Sequence, residues 1–468
     1  DLARITHEPA QQLINTLPSV SPEQRTSDPR IRIKSSVSAA RRRMHPTSQV
    51  ICGGFEGRVV KRTDEDYDRH AYQYASTSFD DGSMEPSAIV YAANDDDVRK
   101  AIKYASDNNL AIAVRTGGHQ YSGASSTSGD NILLDVSEAY EEFEWNATTG
   151  LLRVGVSYSL RTLYELLRKN NIFLPYGVCS NVHLGGHVQT GGYGQMARAF
   201  GLLGDHVLGI EFITADGKKH AITRDTCDRD EKDLFFAVLG GSPGNFGVLT
   251  HVTFKPLRDS DYPNSRGVKF VTLYKPEKVK KLLEIMSAMV KEEEFPGDYD
   301  YTVIVMSGDF SMLTDFAFPT EDMKMRRWHE EHSPPPCIMV YLQWANLGGA
   351  DQRYNPEFFD EVKKACGKFK FVTVDDEYPT TLSELRGEWI YNNVREFDTP
   401  YLKRGYVSRS TTLSEDGWPG YMAETIDDVW SDKRDGCNVV VQIQHYGGND
   451  SRFRLNGRDG CASYSWRE

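Results

Sequence analysis

Two glycine-rich stretches each carry one reactive side chain: RTGGHQYSG at residues 115–123 contains His119, and GVCSNVHLGGHVQTGGYG at residues 177–194 contains Cys179. Glycine allows backbone N–H groups to converge on an anion or to pack directly against a ligand. A third stretch, GGSPGNFG at residues 240–247, repeats the pattern. Each stretch alone is compatible with an ordinary glycine turn. The three together predict backbone in close contact with a ligand, although neither a Walker loop nor a GxGxxG fingerprint is present.

Predicted strands and helices surround these stretches. Strand 110–114 runs directly into the first of them, and Asn94, followed by three aspartates, is a typical helix start. The region forms an α/β unit with glycine loops at strand ends, where ligands commonly bind. After about residue 260, long helices alternate with aromatic-rich strands, which predicts a second domain with an antiparallel sheet. The expected strands of that sheet are 298–306, 338–345 and 438–446.

The composition excludes some classes of protein. The 468 residues are 39% hydrophobic, and 54 basic against 67 acidic residues give a formal net charge of −13. Nucleic-acid binding needs a basic surface, so we expect no nucleic-acid partner. No stretch reaches the ~20 apolar residues of a membrane span, so we expect no membrane partner. The seven cysteines show no Cys/His metal spacing, and no metal is expected.

Two sequons, at Asn146 and Asn449, and a first residue other than methionine favour a secreted glycoprotein. In an oxidising compartment, seven cysteines would form up to three disulfides and leave one thiol over. Cys179, between its glycines, is our candidate for that odd thiol. We expect the protein to be a monomer.

The glycine motifs carry a family resemblance. The family pattern R-x-G-G-H-x-Y/D matches residues 115–121, and G-x-C-x-x-V-G-x-G-G-H-x-x-G-G-G-x-G matches residues 177–194 with two changes. G-G-G-x-G-N-F-G-V matches residues 240–248 with substitutions. On these three motifs, in this order, the chain resembles the berberine-bridge-enzyme-type flavoprotein oxidases of the vanillyl-alcohol oxidase/p-cresol methylhydroxylase superfamily. The resemblance covers residues 86–255 and extends more loosely to about residue 450.

The resemblance implies an α+β, two-domain vanillyl-alcohol-oxidase-type FAD-binding fold, whose substrate domain is an antiparallel sheet flanked by helices. We expect an N-terminal extension over residues 1–85, an FAD-binding domain over 86–260, a substrate domain over 261–450, and the start of a return to the flavin domain over 451–468. The family's asparagine–tyrosine pair and closing helix do not occur before Glu468. Either the chain continues further, or the proton acceptor that this tyrosine often supplies lies elsewhere.

The resemblance also implies FAD bound covalently at two points. In such enzymes the histidine of the first motif bonds to the flavin 8α-methyl carbon and the cysteine of the second bonds to C6, and His119 and Cys179 occupy these positions. Without the resemblance, they could be a structural histidine and a buried thiol or half-cystine. The residues expected to bind the cofactor are Arg115, Thr116, Gly117, Gly118, His119, Gln120, Ser122, Gly123, Gly177, Cys179, Gly185, Gly186, His187, Gly191, Gly192, Gly194, Asp205, Asn245, Gly247 and Val248.

The residues after the cysteine bear on catalysis. In the family, valine three positions past the cysteine leaves room for oxygen, so Val182 favours an oxidase that returns electrons to O2 as H2O2, although a packing role is also open. His183 and Thr190 replace family glycines. His183 could orient substrate, take a proton or stabilise the reduced ring, or could point away from the flavin. Without the family tyrosine, we expect the proton acceptor among Tyr121, His183 and His445.

The second domain should cover the substrate face of the flavin. Strand alternation groups Tyr341 with Gln343, and Gln442 with Gln444 and Tyr446. Amides and aromatic rings suit sugars, and these residues resemble the sugar sites of the family's oligosaccharide oxidases; each is equally compatible with sheet surface or core. We expect hydride transfer from a substrate alcohol, with the C1 hydroxyl of a mono- or oligosaccharide as first choice. A phenolic, alkaloid or other secondary metabolite, or a flavin-bound protein without turnover, are the alternatives.

Overall fold

The computed structural model describes residues 54–467 except 75, 77–78, 81, 293, 307–335, 369, 391–414, 416, 432–439 and 466. Most of the predicted N-terminal extension, together with Cys52 and Cys437, lies outside the described residues. The described helices are α1 (Tyr67–Ala71), α2 (Asp95–Asp107), α3 (Leu160–Lys169), α4 (Leu184–Gln189), α5 (Ala197–Phe200), α6 (Arg229–Val238), α7 (Pro276–Lys291), α8 (Glu357–Ala365), α9 (Leu382–Trp389), α10 (Trp418–Ser431) and α11 (Arg452–Leu455). None of these helices is both long enough and apolar enough to cross a bilayer.

A mostly parallel sheet carries the first glycine stretch. Its strands, in order, are β1 (Val59–Lys61), β2 (Ala88–Tyr91), β4 (Ile132–Asp135) and β3 (Ile112–Arg115). β2 and β3 both pair in parallel with β4, and β1 runs antiparallel to β2. β2 and β4 are buried along their whole length, as strands covered on both faces are. The first glycine stretch leaves this sheet directly at the end of β3.

An antiparallel sheet carries the third glycine stretch. Its strands, in order, are β5 (Phe143–Asn146), β6 (Leu151–Gly155), β10 (Val248–Phe254), β8 (Val207–Ile213) and β9 (Lys219–Thr223). β8 and β9 form the hairpin that the sequence predicts, and Gly217 in its turn has a φ of +78°. β10 begins immediately after the third stretch. The second stretch is tied to the end of β6, because Gly185 N donates to Val156 O at 3.1 Å.

A second antiparallel sheet confirms the architecture expected after about residue 260. Its strands, in order, are β15 (Phe371–Val374), β12 (Arg266–Leu273), β14 (Cys337–Trp344), β13 (Tyr299–Met306) and β16 (Val440–Gln444). Helices α7, α8 and α10 pack on one face through a single apolar cluster. The other face packs against α9 and against the loops that carry the second glycine stretch. A short ribbon of β7 (Ile172–Phe173) and β11 (Leu257–Arg258) lies between the two parts of the chain.

The cysteines do not form the expected disulfide framework within the described residues. Cys179, Cys227, Cys337, Cys366 and Cys461 make no disulfide there. Two of the five, at positions 337 and 366, are buried in the apolar clusters of the second antiparallel sheet. Of the up to three disulfides expected in an oxidising compartment, none therefore forms among these five cysteines, and the two buried ones fill core positions as small apolar side chains.

Candidate functional site

A cavity of about 810 Å³ lies where the three glycine stretches face the edge of the second antiparallel sheet. Its volume falls within the ~300–1,000 Å³ typical of ligand and cofactor sites. The residues singled out from sequence that line it are Thr116, Gly117, Gly118, His119, Gln120, Tyr121, Gly177, Cys179, Val182, His183, Gly185, Gly186, His187, Thr190, Gly194, Gly247, Gln442, Gln444 and Tyr446. The reactive histidine, the cysteine and the polar residues of the second domain thus share one cavity.

The first and second glycine stretches touch through Gly117. A Cβ atom at this position would lie 2.8 Å from His183 Cδ2 and 2.9 Å from both Asn181 O and His183 N. Only glycine permits this approach. The contact fixes the distance between the backbone that carries His119 and the backbone that carries Cys179.

The His119 ring is held by aromatic neighbours. It stacks on Tyr74 with 4.6 Å between ring centroids and an interplanar angle of 28°. Tyr74 N donates to Gly118 O at 3.0 Å, and the Tyr121 ring lies 5.3 Å from the Tyr74 ring. The segment before β2 therefore orients the imidazole from behind while it faces the cavity.

Gly177, two residues before Cys179, makes hydrogen bonds through both its N–H and its carbonyl. Its N–H donates to His187 Nε2 at 2.8 Å, and its carbonyl accepts from Arg386 Nη2. Burial, with a smaller contribution from Arg386, lowers the pKa of His187 to about 4, so this ring is neutral and can accept the bond. His187 therefore shapes the wall of the cavity through the backbone.

The second stretch turns into α4 at His183. Leu160 N donates to Val182 O at 2.8 Å, which fixes the backbone of the valine that lines the cavity. Within α4, Gln189 donates from Nε2 to Gly185 O at 2.9 Å and accepts from Gly244 N at 3.3 Å. This amide joins the second and third glycine stretches.

The second domain supplies a polar edge to the cavity. Gln442 and Gln444 alternate along the edge strand β16, and Tyr446 follows it. Gln444 Nε2 donates to Thr302 Oγ1 at 3.0 Å, and the Tyr446 hydroxyl donates to Gln444 Oε1. These bonds orient amide and phenol groups toward whatever occupies the cavity.

The expectation for Tyr341 and Gln343 needs correction, because neither lines the cavity. Both are almost fully buried on the same sheet face, and α9 covers them. Trp389 Nε1 donates to Gln343 Oε1 at 3.0 Å, and the Trp389 and Tyr341 rings meet edge to face at 5.1 Å. Alternation predicted the correct face, but α9 covers that face at β14, whereas Gln442 and Gln444 of the edge strand β16 line the cavity.

Three other side chains predicted to belong to the site lie outside the cavity, in ion pairs or in the protein interior. Arg115 Nε pairs with buried Asp135 at 2.5 Å, so its side chain does not reach the cavity. Asp205 forms a bidentate pair with Arg467 at 2.9 and 2.7 Å. His445 is buried outside the cavity wall, where burial first and nearby positive charge second lower its pKa to about 4.

Six further residues expected to bind the cofactor do not line the cavity. Asn245 is exposed, and Val248 belongs to the core beneath the third stretch. Gly191 and Gly192 have φ of +97° and +72° and pack against the chain around Leu202 and Leu203. Their role is to let the chain turn. The full set comprises Ser122, Gly123, Gly191, Gly192, Asn245 and Val248.

Sequence reasoning missed several residues at the site. Gln189, Tyr193 and Gln195 line the cavity and lie within or directly after the second motif, so a reading of its variable positions could have found them. Tyr74 and Arg386 reach the site from distant parts of the chain, and no local pattern indicates them. No group of three or more His, Cys, Asp or Glu that could hold a metal occurs in the described part of the chain.

A family model described as an FAD binding domain matches residues 86–223. This chain carries an FAD binding domain. An uncharacterized FAD-linked oxidoreductase of Bacillus subtilis is 34% identical over 201 residues, which make up 42% of this chain and 43% of the relative. Berberine bridge enzyme-like 12 of Arabidopsis thaliana is 38% identical over 178 residues, 36% of this chain and 32% of the relative. These matches therefore span less than half the length of the relatives.

The fold is that of solved flavoproteins. A glucooligosaccharide oxidase of Acremonium strictum, described as carrying 6-S-cysteinyl, 8α-N1-histidyl FAD, has a TM-score of 0.61 at 17% identity. The match covers 88% of this chain and 77% of that chain. The predicted resemblance and the predicted two-domain α+β fold are thus confirmed.

The residues of the FAD binding domain fit the cofactor. The cavity wall is formed largely by glycine backbone, and a Cβ at Gly186 would meet only Thr116 Oγ1, at 3.9 Å. Such a wall lets a flat ring system approach the main chain. His119, Cys179 and the amides of the second domain all line this cavity. The site therefore has room for a flavin between backbone and a polar edge.

Proposed function

We propose that this protein is an FAD-dependent oxidase that removes hydride from a substrate alcohol, the C1 hydroxyl of a mono- or oligosaccharide, and passes the electrons to O2. The observation that carries the proposal is the single cavity shared by His119, Cys179 and the amides of β16. Relatives named FAD-linked oxidoreductases support the reaction class. The glucooligosaccharide oxidase with the same fold is consistent with a sugar substrate, which here rests on Gln442, Gln444 and Tyr446.

FAD is proposed to be attached through the His119 imidazole and the Cys179 sulfur. Both side chains line the cavity; the imidazole stacks on the Tyr74 ring, and the backbone two residues before Cys179 is bonded to His187. Attachment at two points leaves less of the ring to be enclosed by protein. One face of the flavin can then remain open to a bulky substrate.

The chain's own residues bind and deprotonate the substrate, while bound FAD supplies the hydride acceptor. Gln442 and Gln444 offer amide donors and acceptors to sugar hydroxyls, and Tyr446 offers a ring edge. Tyr121 and His183 line the cavity and are our two candidates among the described residues to take the hydroxyl proton as hydride leaves carbon. Val182 borders the same space, and its small side chain leaves room for oxygen.

A phenolic, alkaloid or other secondary-metabolite alcohol is the second candidate substrate. The observation in its favour is the aromatic part of the lining, where the ring centroids of Tyr193 and Tyr446 lie 6.0 Å apart, since aromatic rings also stack on aromatic substrates.

Secretion is proposed as well; it is supported by the exposed positions of Asn146 and Asn449 in the two sequons. Enzymatic deglycosylation of protein from a eukaryotic host should reduce its mass.

An anaerobic screen tests the reaction. Mono- and oligosaccharides and aromatic alcohols are mixed with the yellow protein, and bleaching of the flavin is followed before air is admitted and H2O2 is measured. Bleaching by sugars is the expected result, and bleaching by aromatic alcohols alone would transfer the proposal to the second substrate class. A flavin that binds these compounds but is bleached by none would make the protein a carrier without turnover.

Acid precipitation tests the attachment. The wild-type protein should stay yellow, and each of His119→Ala and Cys179→Ala should leave one bond. The double variant should release FAD into the supernatant. A colourless wild-type precipitate would contradict attachment at either point.

A further inference from the structure

Arg386 is a buried cation bonded to Gly177, which lines the cavity. It belongs to α9 and is 1% exposed. Its guanidinium lies 4.0 Å from the centre of the Tyr176 ring, and Nη2 donates to Gly177 O. Nε and Nη1 are buried, and no hydrogen-bond acceptor for them occurs among the described residues. No Asp or Glu in the described ranges forms an ion pair with it.

A charge in this position is costly. Removing a cation from water without a counter-ion costs several kcal/mol. Burial lowers the pKa of Arg386 to about 10, which still leaves the group charged at neutral pH. A hydrogen bond to one carbonyl does not require an arginine, since a neutral amide could make it. The charge therefore indicates an anion that forms nearby.

The titratable groups that face this cation are few. Tyr164 of α3 and Tyr176 are phenols, and burial raises the pKa of each. His187 of α4 is neutral, since its pKa is lowered to about 4. Among the described residues, the remaining group that acts electrostatically on the guanidinium is the Cys179 thiol, which belongs to the second residue after the carbonyl that Arg386 binds. Of these four, only a thiol readily becomes an anion near neutral pH, because a neighbouring arginine favours the thiolate.

We infer that Arg386 is a positioning residue that holds Cys179 as a thiolate and thereby prepares its sulfur to bond to the flavin. The inference rests on the proposed attachment of FAD at Cys179. Arg386 acts in two ways: through the Gly177 carbonyl it fixes the backbone before the cysteine, and through its charge it favours the reactive form of the sulfur.

The bond-forming reaction balances with an oxidant. One hydrogen leaves the thiol and one leaves the ring carbon as the carbon–sulfur bond forms, and these two hydrogens with their electrons reduce O2 to H2O2. The proton of the thiol is the first to leave. Arg386 therefore favours the loss of the thiol proton, and this is the part of the reaction that depends on the protein's own residues.

Two variants separate charge from geometry. Arg386→Gln keeps a donor for Gly177 O but has no charge, and Arg386→Lys keeps the charge but loses the planar contact with Tyr176. Full-length wild-type and variant proteins are produced in riboflavin-starved cells, alkylated with iodoacetamide between pH 6 and 10, and digested. The modified fraction of the Cys179 peptide is measured by mass spectrometry, with exposed Cys227 in the same sample as the reference thiol.

We expect Arg386→Gln to slow alkylation of Cys179 at pH 7 about tenfold, which corresponds to a pH profile displaced upward by about one unit. Arg386→Lys should stay close to wild type, and Cys227 should not change in either variant. When the same proteins are incubated with FAD in air, the glutamine variant should acquire the Cys179–flavin peptide correspondingly more slowly.

Several results would overturn the inference. A wild-type alkylation profile in Arg386→Gln would show that the charge has no effect on the sulfur. An equal shift of the alkylation profile in both variants would assign the effect to the planar contact with Tyr176 and not to the charge. If the glutamine variant does not fold, a shifted profile in Arg386→Lys would lead to the same conclusion. A wild-type Cys179 peptide that never carries flavin would instead contradict the proposed attachment, while the alkylation profiles would still decide the role of Arg386.

Discussion

Gly117→Ala should separate the first and second glycine stretches. The new Cβ would lie 2.8 Å from His183 Cδ2, whereas carbon atoms in contact prefer about 3.5–4.0 Å. It would also lie 2.9 Å from Asn181 O, and backbone cannot rotate away as a flexible side chain can. The two stretches must therefore move apart by about 0.7 Å or more.

Overpacking of this kind costs about 1–3 kcal/mol. For domains of 150–250 residues each kcal/mol lowers Tm by about 2–4 °C, so a decrease of roughly 2–12 °C is expected. The displacement also moves His119 relative to Cys179. Because a misplacement of about 1 Å can slow a reaction ~100-fold, the fraction of flavin attached at both residues should fall.

Differential scanning calorimetry measures the first effect, and flavin fluorescence of the denatured protein after electrophoresis, with peptide mass spectrometry, measures the second. Gly186→Ala is the matched variant in the neighbouring stretch, since its Cβ would meet only Thr116 Oγ1 at 3.9 Å. It should fold as well as wild type yet bind less FAD, because Gly186 lines the cavity. Unchanged Tm and unchanged attachment in Gly117→Ala would refute the contact as the determinant of loop spacing.

Three further predictions concern the gate, the pH response and the polar edge. Val182→Leu should slow reoxidation of the flavin by O2 about tenfold in stopped-flow traces, while reduction by substrate changes less. Val178→Leu, elsewhere on the cavity wall, is the control and should not show this difference. Equal slowing of both half-reactions would contradict the proposal that Val182 controls the access of oxygen. Burial and a nearby guanidinium lower the pKa of His187 from 6.5 to about 4, so the folded state binds fewer protons than the unfolded state between these values. The contribution of neutral His187 to the free energy of unfolding is fully present above pH 6.5 and is lost as the pH falls toward 4, by on the order of 3 kcal/mol. In urea unfolding, the free energy of unfolding of His187→Asn should therefore change less over this pH range than that of wild type. Gln442→Ala should raise KM with little change in Tm. Gln343→Ala should instead lower Tm, because the buried indole N–H of Trp389 loses its acceptor. A raised KM and an unchanged Tm in Gln343→Ala would place Gln343 in the substrate site.

Local signals in the sequence predicted much of the fold. Asn94 followed by aspartates predicted the start of α2, where its side chain accepts bonds from Asp96 N and Asp97 N. The turn at residues 215–217 predicted the hairpin of β8 and β9. These predictions succeeded because helix caps and tight turns depend on a few consecutive residues. Through the family resemblance that they carry, the glycine motifs likewise predicted an FAD binding domain.

Long-range contacts account for the predictions that were wrong. Alternation along β14 correctly placed Tyr341 and Gln343 on one face, but it could not show that Trp389 covers them. Asp205 reads as a polar residue near the glycine stretches, and only the fold brings Arg467 to it. A side chain's partner can lie hundreds of residues away, so its availability to a ligand is not a property of its own segment.

The sequence by itself predicted an FAD binding domain and placed His119 and Cys179 in its glycine stretches, because the resemblance that carries both predictions lies within short motifs. Only the tertiary structure decided which polar residues reach the cavity and which cation binds the backbone before Cys179. Arg386 stands 207 positions after Cys179, and their proximity arises from packing of α9 against the second glycine stretch. Packing of distant elements buries the Arg386 guanidinium, and a charge with little water around it acts more strongly on its neighbours.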